Sequence, residues 1–217
     1  MSDTRQKLLD AAAAAVREQG AAGASARAIA GRAGVNQALV FYHFGTVSEL
    51  VEAACRQRVD EAVAHYREQF AEVTTLSALL GVGRELNVRE RAAGNVAMMA
   101  QLMSGAAHDP VLAGAARYAL DLWATEIERV VARVLRDNPL AEVVDGPGLA
   151  RAASAAFIGL ELYEGVDADG AARALDALEQ LTLLAEVVSD LGPVARRALR
   201  FKLTRSRPTS TGDSGRA

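Results

Sequence analysis

A chain of 217 residues, 51% hydrophobic and 24% charged, is long enough for one or two folded domains and too apolar to stay an unfolded polar polymer. Its one cysteine, Cys55, excludes an internal disulfide framework and any zinc site built from several sulfurs. The net charge of −3 gives no general electrostatic argument for nucleic acid: residues 1–50 set five basic residues (Arg5, Lys7, Arg17, Arg27, Arg32) against four acidic ones (Asp3, Asp10, Glu18, Glu49), which makes that segment weakly positive and the remainder negative. No window approaches the roughly 18 uninterrupted apolar residues of a membrane span. The mixed-charge start Met1-Ser2-Asp3-Thr4-Arg5 lacks the basic-then-apolar pattern of a signal peptide. The expectation is a soluble, cytoplasmic protein without membrane attachment.

The pattern throughout is helical: apolar residues recur at spacings of three and four, alanine is abundant, and β-branched alternation is nearly absent. Thr4 is placed to cap a first helix whose Leu8, Leu9, Ala12 and Val16 form one apolar face, with Gly20 as its stop. Ser25 caps a short second helix over 26–33, Gly34 supplies a turn, and a third helix runs over 36–44. Thr46 and Glu49 have capping-box spacing and start a fourth helix, carrying Leu50, Val51, Ala54 and Val59, that connects the N-terminal unit to the rest. Further helices are predicted at about 75–89, 95–105, 110–136, 148–164, 169–190 and 193–204, punctuated by Gly94, Pro110, Pro139, Gly146-Pro147-Gly148, Gly165 and Gly192-Pro193. The end of the chain, rich in Ser, Thr, Arg and Gly, predicts a disordered tail over 205–217. Its basic residues read as a solvated end rather than a DNA contact. The expected division is an N-terminal unit over 1–47, a helical domain over 48–204, and the tail.

Residues 25–44 carry the functional signal. Two helices of about eight residues joined by a tight Ala-Gly-Val turn form a helix-turn-helix, in which the second helix offers its N-terminal half to the major groove. Ile29, Ala33, Val35, Val40 and Phe44 are placed as a small core, leaving Gln37, Ala38, Leu39, Phe41, Tyr42 and His43 on the exposed side. The run Gly34-Val35-Asn36-Gln37-Ala38-Leu39-Val40-Phe41-Tyr42-His43-Phe44, preceded by Arg27, Ile29 and Ala30 and followed by Thr46, Glu49 and Leu50, resembles the N-terminal signature of the tetracycline-repressor-like (TetR) family over about residues 5–52. The resemblance implies an all-α protein with an N-terminal three-helix DNA-binding domain and a C-terminal helical ligand-binding and dimerisation domain. It implies roles too. Ser25 and Asn36 hold phosphates at helix N-termini. Arg27 reaches a phosphate or a base edge; Gln37, Ala38 and Leu39 face base edges. Tyr42 and His43 contact the backbone, with Phe41 on the same face. Two positions depart from the family pattern: Phe41 stands where a tyrosine is common and Val47 where a lysine is common, and each removes a phosphate contact.

Beyond the fourth helix the resemblance extends only to an all-helical architecture. Met98, Met99, Met103, His108, Tyr118, Trp123 and Phe157 are candidates to line a cavity for a small-molecule effector, because pockets between helices combine adaptable apolar groups with a few polar ones. Plain core packing is the competing account for each. Glu161, Tyr163 and Glu164, ending an otherwise apolar helix, read as surface or interface. The helices at about 148–164 and 169–190, the latter with Leu175, Leu178, Leu181, Thr182 and Ala185 repeated along it, are expected to pair two copies in a four-helix bundle. A homodimer suits a palindromic double-stranded operator.

Catalysis is not expected. Three histidines, with Glu61 and His65 four apart and isolated, make no helical metal site, and neither a phosphate loop nor a nucleophile elbow is present. No cofactor or metal is anticipated. The rival to a ligand-released repressor is a helical adaptor that binds only protein, which would have no use for a capped helix with polar and aromatic groups outside.

Overall fold

The computed structural model describes residues 3–136, 138–142, 144–189, 191–192, 194–195, 197–198 and 201–202. Among these the regular elements are helices: α1 (Asp3–Gly23), α2 (Ala26–Ala33), α3 (Ala38–Phe44), α4 (Val47–Glu72), α5 (Leu76–Ala92), α6 (Asn95–Ala106), α7 (Pro110–Leu135), a 3-10 turn (Pro139–Glu142), α8 (Gly146–Glu164) and α9 (Ala168–Ser189). Of the helix expected over 193–204, the described residues Val194, Ala195, Arg197, Ala198, Phe201 and Lys202 are helical. The tail expected over 205–217 lies outside the described residues.

The helix starts follow side-chain chemistry. Ser25 Oγ accepts the Ala28 N–H, Thr46 Oγ1 the Glu49 N–H, Thr75 Oγ1 the Ala78 N–H and Asp109 Oδ1 the Val111 N–H, each filling an otherwise orphaned donor. The Thr46–Glu49 pair closes differently from a standard capping box: the hydroxyl itself donates to Glu49 Oε2 at 2.8 Å. Asn36 Oδ1 accepts the Ala38 N–H at 2.8 Å, so Asn36 performs the expected capping although regular helix begins two residues later. Gly20, at φ 76° and ψ 168°, is non-helical and ends the first helical run as expected, with a short further turn carrying α1 to Gly23 beyond the kink.

Two cores share these helices. The first gathers Leu8, Leu9, Ala12 and Val16 of α1, Ile29 of α2, Val40 of α3 and Leu50, Val51, Ala54 and Cys55 of α4, and it also takes in Met98 and Leu102 from α6 and Leu112 and Ala115 from α7. Ala33, Val35 and Phe44 pack at its edge. Three short helices cannot bury enough apolar surface alone, so the N-terminal unit closes on α4, α6 and α7. The second core lies further along α4, where Val59, Val63, Tyr66 and Phe70 meet Leu86 of α5, Ala119 and Val130 of α7, and partly buried Trp123 and Phe157. Ser48, in the first turn of α4, donates to Asp109 Oδ2 at 2.7 Å and holds the Asp109 carboxyl below its usual range, tying the starts of α4 and α7 together.

Because Leu102 is fully buried in the first core although it belongs to α6, Leu102→Ala should destabilise that core by about 3 kcal/mol. The expected signature is a lower urea midpoint with loss of hydrogen-exchange protection in α1; protection in α1 equal to wild type would mean that α6 is not part of that core.

Candidate nucleic-acid interface

α3 is only 7 residues long, and its register decides what it offers outward. Val40 is fully buried, which turns Asn36, Gln37, Ala38, Phe41 and Tyr42 to solvent. Phe41 is 49% and Tyr42 80% exposed, far more than aromatic rings holding a small core together would be. Leu39 and His43 are half-buried, and Leu39 packs against the first core. The exposed face is thus narrower than the sequence pattern suggested, because successive residues of a helix lie about 100° apart and the flanks of a one-sided core reach both 39 and 43. The Tyr42 and His43 rings meet edge to face with centroids 5.0 Å apart, and Arg5 lies over the Phe44 ring at 5.0 Å.

The turn between α2 and α3 is set by Gly34 at φ 66°, whose N–H and that of Val35 bond back to Gly31 and Ala30 carbonyls. Ser25 and Arg27 are both exposed at the start of α2. Arg27 makes no ion pair or hydrogen bond among the described residues, while Arg32 is engaged by Glu18 and Lys7 by Asp3. Val47 packs at the edge of the first core and adds no charge there. The face accordingly combines one free guanidinium with amide, hydroxyl and aromatic groups.

The residues expected around an effector do not all converge. Met99, Trp123 and Phe157 do: Trp123 lies 6.3 Å from Tyr66 and 6.2 Å from Phe70, ring to ring. Met98 instead faces α1 in the first core, one helical turn from Leu102. Met103 and His108 are exposed. Tyr118 is held by its hydroxyl to Asp60 and covered by Arg56 at 4.4 Å. A cavity of about 360 Å³ opens elsewhere, between α1, α4, α5 and α6, and its walls mix charged groups (Asp10, Arg17, Arg58, Glu90) with apolar ones (Ala13, Ala62, Met98).

Sequence reasoning missed the interior polar groups. Glu161, read as surface or interface, is buried at 6% exposure, whereas Tyr163 of the same turn is 51% exposed. Glu161 Oε1 and the hydroxyl of fully enclosed Tyr66 have no hydrogen-bond partner among the described residues. Burial raises the Glu161 carboxyl to about 7, with Arg91 opposing and Glu90 and Glu164 reinforcing the shift. The available signal was spacing: Ser154, Phe157 and Glu161 lie on one face of α8, so a carboxylate shares the stripe that packs inward. Cys55 is buried with its thiol pushed up to about 12 by desolvation, which makes it an unreactive core residue.

This geometry defines a class: a helix-turn-helix DNA-binding domain carried on a larger helical body. Residues 8–54 match the model of the bacterial regulatory proteins of the tetR family, so this segment is a tetR-type N-terminal domain. No curated protein matches the chain. Among solved structures, a transcriptional regulator from Rhodococcus sp. Rha1 is 28% identical over 85% of this chain and 97% of its own, with a TM-score of 0.65. A Rhodococcus sp. protein assigned to the TetR-family transcriptional regulators is 24% identical, with 84% and 100% covered and a TM-score of 0.67. The multidrug binding protein EbrR, complexed with imidazole, is 23% identical over 98% of this chain and 99% of its own, with a TM-score of 0.55. The last two likenesses concern the fold alone.

The buried acid has a signed consequence. A carboxyl raised from 4.5 to about 7 in the folded state takes up a proton there before it does in the unfolded chain. It therefore costs nothing below about pH 4.5, and its cost grows as pH rises to about 7. Glu161→Gln should be more stable than wild type above pH 7 by on the order of 3 kcal/mol, with the difference fading towards pH 4.5. Paired thermal melts across that range would show it; a constant difference would mean that Glu161 is not desolvated.

Proposed function

We propose that the protein is a cytoplasmic, ligand-responsive repressor. A dimer of the chain occupies a palindromic double-stranded operator and leaves it when a small molecule binds the helical domain. Residues 1–47 serve as the DNA-binding unit and 48–204 as the sensing and pairing domain. The observation that carries the reading is the outward face of α3, with Gln37 and Tyr42 exposed while Val40 anchors the helix in the first core, together with exposed, unpaired Arg27 at the start of α2. Gln37 suits an adenine edge and Ala38 a thymine methyl. Ser25, Asn36, Tyr42 and His43 serve the backbone, with Leu39 and Phe41 as apolar flanks.

The route from ligand to DNA follows the shared core. Arg17 of α1 donates to the Ala93 carbonyl at 3.1 Å, and its side chain crosses Gly94 so closely that a Cβ there would collide with it. Gly94 is left-handed at φ 76° and forms the corner between α5 and α6. Met98 and Leu102 of α6 lie against α1. A ligand that moves the α5–α6 corner therefore moves α1, and with it the angle at which α3 is held. The equilibrium shifts only if the ligand prefers the non-binding arrangement; equal affinity for both shifts nothing.

Dimerisation is supported by the outer faces of α8 and α9. Thr182 and Glu186 turn inward to Ser77 of α5. Leu181 at 61% and Leu184 at 63% exposure face away from the chain. On α8 the small exposed residues Ala152, Ala155, Ala156 and Gly159 leave a groove into which such leucines fit. Paired on a two-fold axis, these faces make a four-helix bundle.

Purified protein is expected to protect a palindromic site near its own gene. Gln37→Ala and Tyr42→Ala should each weaken binding by about tenfold or more. Binding that is equal in all three proteins and indifferent to sequence would sink the assignment of α3. Leu184→Glu should convert a dimer to a monomer in analytical ultracentrifugation, with operator affinity falling in parallel; a persistent dimer would place the interface elsewhere.

A further inference from the structure

The cleft between α1, α4, α5 and α6 separates the N-terminal unit from the larger helical body, and Tyr66, Trp123 and Phe157 of the second core do not line it. Its charged walls are three guanidiniums, Arg17, Arg58 and Arg89, and three carboxylates, Asp10, Glu61 and Glu90. They are unevenly shared. At one end Arg58 holds two acids at once, Asp10 of α1 at 2.5 Å and Glu61 of α4 at 2.9 Å. At the other end Arg17 and Arg89 form no ion pair among the described residues, and Glu90, the carboxylate on that side, is buried and accepts the Asn95 amide at 2.5 Å. The two ends are distinct because Asp10 and Arg17 on α1, like Arg58 and His65 on α4, lie two helical turns or about 10 Å apart.

The basic end is organised by backbone. Arg17 Nη1 donates to the Ala93 carbonyl at 3.1 Å, and the Ala93 N–H bonds to the Arg89 carbonyl at 2.9 Å, so the last turn of α5 brings both guanidiniums to one corner. Arg89 also reaches across to Nε2 of His65 on α4. A guanidinium has no acceptor to offer, so the imidazole nitrogen accepts and brings no negative charge. Each arginine thus uses one N–H on a neutral acceptor and keeps others of its five in reserve. Two guanidiniums facing one carboxylate leave an excess of one positive charge at this end. The floor beneath is apolar: Ala13 and Met98 are buried, with Ala14 and Ala62 beside them. Arg17, His65 and Arg89 are exposed, so a ligand enters from water without any rearrangement.

We propose that this end of the cleft binds a small aliphatic carboxylate, whose oxygens take the spare donors of Arg17 and Arg89 while its alkyl body lies on Ala13 and Met98. Guanidinium and carboxylate match in geometry, and one carboxylate cancels the single excess charge, which a phosphate dianion overshoots. The bound carboxylate adds a second tie between α1 and α5 to the one that Arg17 makes with Ala93. The site stands without the regulator reading; only its effect on the operator rests on that reading, because α1 packs with Val40 of α3 in the first core.

The test is calorimetric titration of the full-length protein with hexanoate, hexanamide, hexylammonium and inorganic phosphate. Hexanoate should bind at least about tenfold more tightly than each of the others. Arg89→Gln should remove that preference. Arg84→Gln, which alters an α5 arginine paired with Glu179 outside the cleft, should keep it. Arg89→Lys retains the charge without the fork and should keep a weakened preference, which separates lost recognition from a lost fold. In hydrogen exchange, hexanoate should raise protection in α1 around Arg17 and at the corner between α5 and α6. Protection that rises in α7 and α8 instead places the ligand elsewhere and overturns the proposal. So does equal binding of hexanamide, binding of phosphate as tight as that of hexanoate, or an unchanged preference in Arg89→Gln. Operator binding is measured on the same preparations: its absence counts against the regulator reading and leaves the titrations intact, and its presence unaltered by hexanoate overturns the link from this site to α3 alone.

Discussion

One helix belongs to two cores, and the rest of the molecule is arranged around that constraint. α4 has 26 residues and so spans about 39 Å. Its first turns supply Leu50, Val51, Ala54 and Cys55 to the core beneath the recognition helix, and its later turns supply Val63, Tyr66 and Phe70 to the core beneath α5 and α7. A continuous hydrogen-bonded helix is stiff along its axis, so neither core can rotate about α4 without shifting the other. The N-terminal unit also fails to close by itself: Met98 and Leu102 must come from α6 and Leu112 from α7. The small core is therefore completed by helices of the larger helical body, which places α3 and that body in one packed unit instead of two beads on a linker.

Much of this was legible in the sequence, and the legible parts share a cause. Caps and turns are local: Ser25, Thr46 and Asp109 act on donors two or three residues away, and Gly34 and Gly94 are turn glycines because their backbones lie at positive φ. Helix faces are nearly as local, which is why Leu8, Leu9, Ala12 and Val16 could be assigned inward from spacing. The tertiary partner of a face is not local. Met98 looks like any pocket methionine until α1 is found against it, and Met103 and His108 look equally suitable until α6 is seen to turn them out. The stripe on α9 divides for the same reason: Leu181 points outward while Leu175 and Leu178 are half-buried, because α5 takes the Thr182 and Glu186 side. Glu161 shows the sharpest limit, since a carboxylate in an apolar helix defaults to solvent and only the helices packed on α8 make it interior.

The outward face of α3 carries little charge of its own. Arg32 and Lys7 are neutralised by Glu18 and Asp3, Val47 is apolar, and the chain as a whole is acidic. Counterion release scales with the number of phosphates neutralised, so a face with few free cations depends less on salt than a strongly basic one.

The interior acids show the complementary use of charge. A buried carboxyl that raises its proton affinity instead of finding a partner lowers stability at neutral pH, and a glutamine of the same shape would remove that cost. Glu126 proves that this fold can pair an interior glutamate when pairing is what the position requires, with two arginines on a single oxygen. At Glu161 the available arginine is drawn off by Glu164 and a main-chain carbonyl. The arrangement leaves Glu161 Oε1 unsatisfied beside the second core, so this position settles its charge by a raised proton affinity instead of a salt bridge.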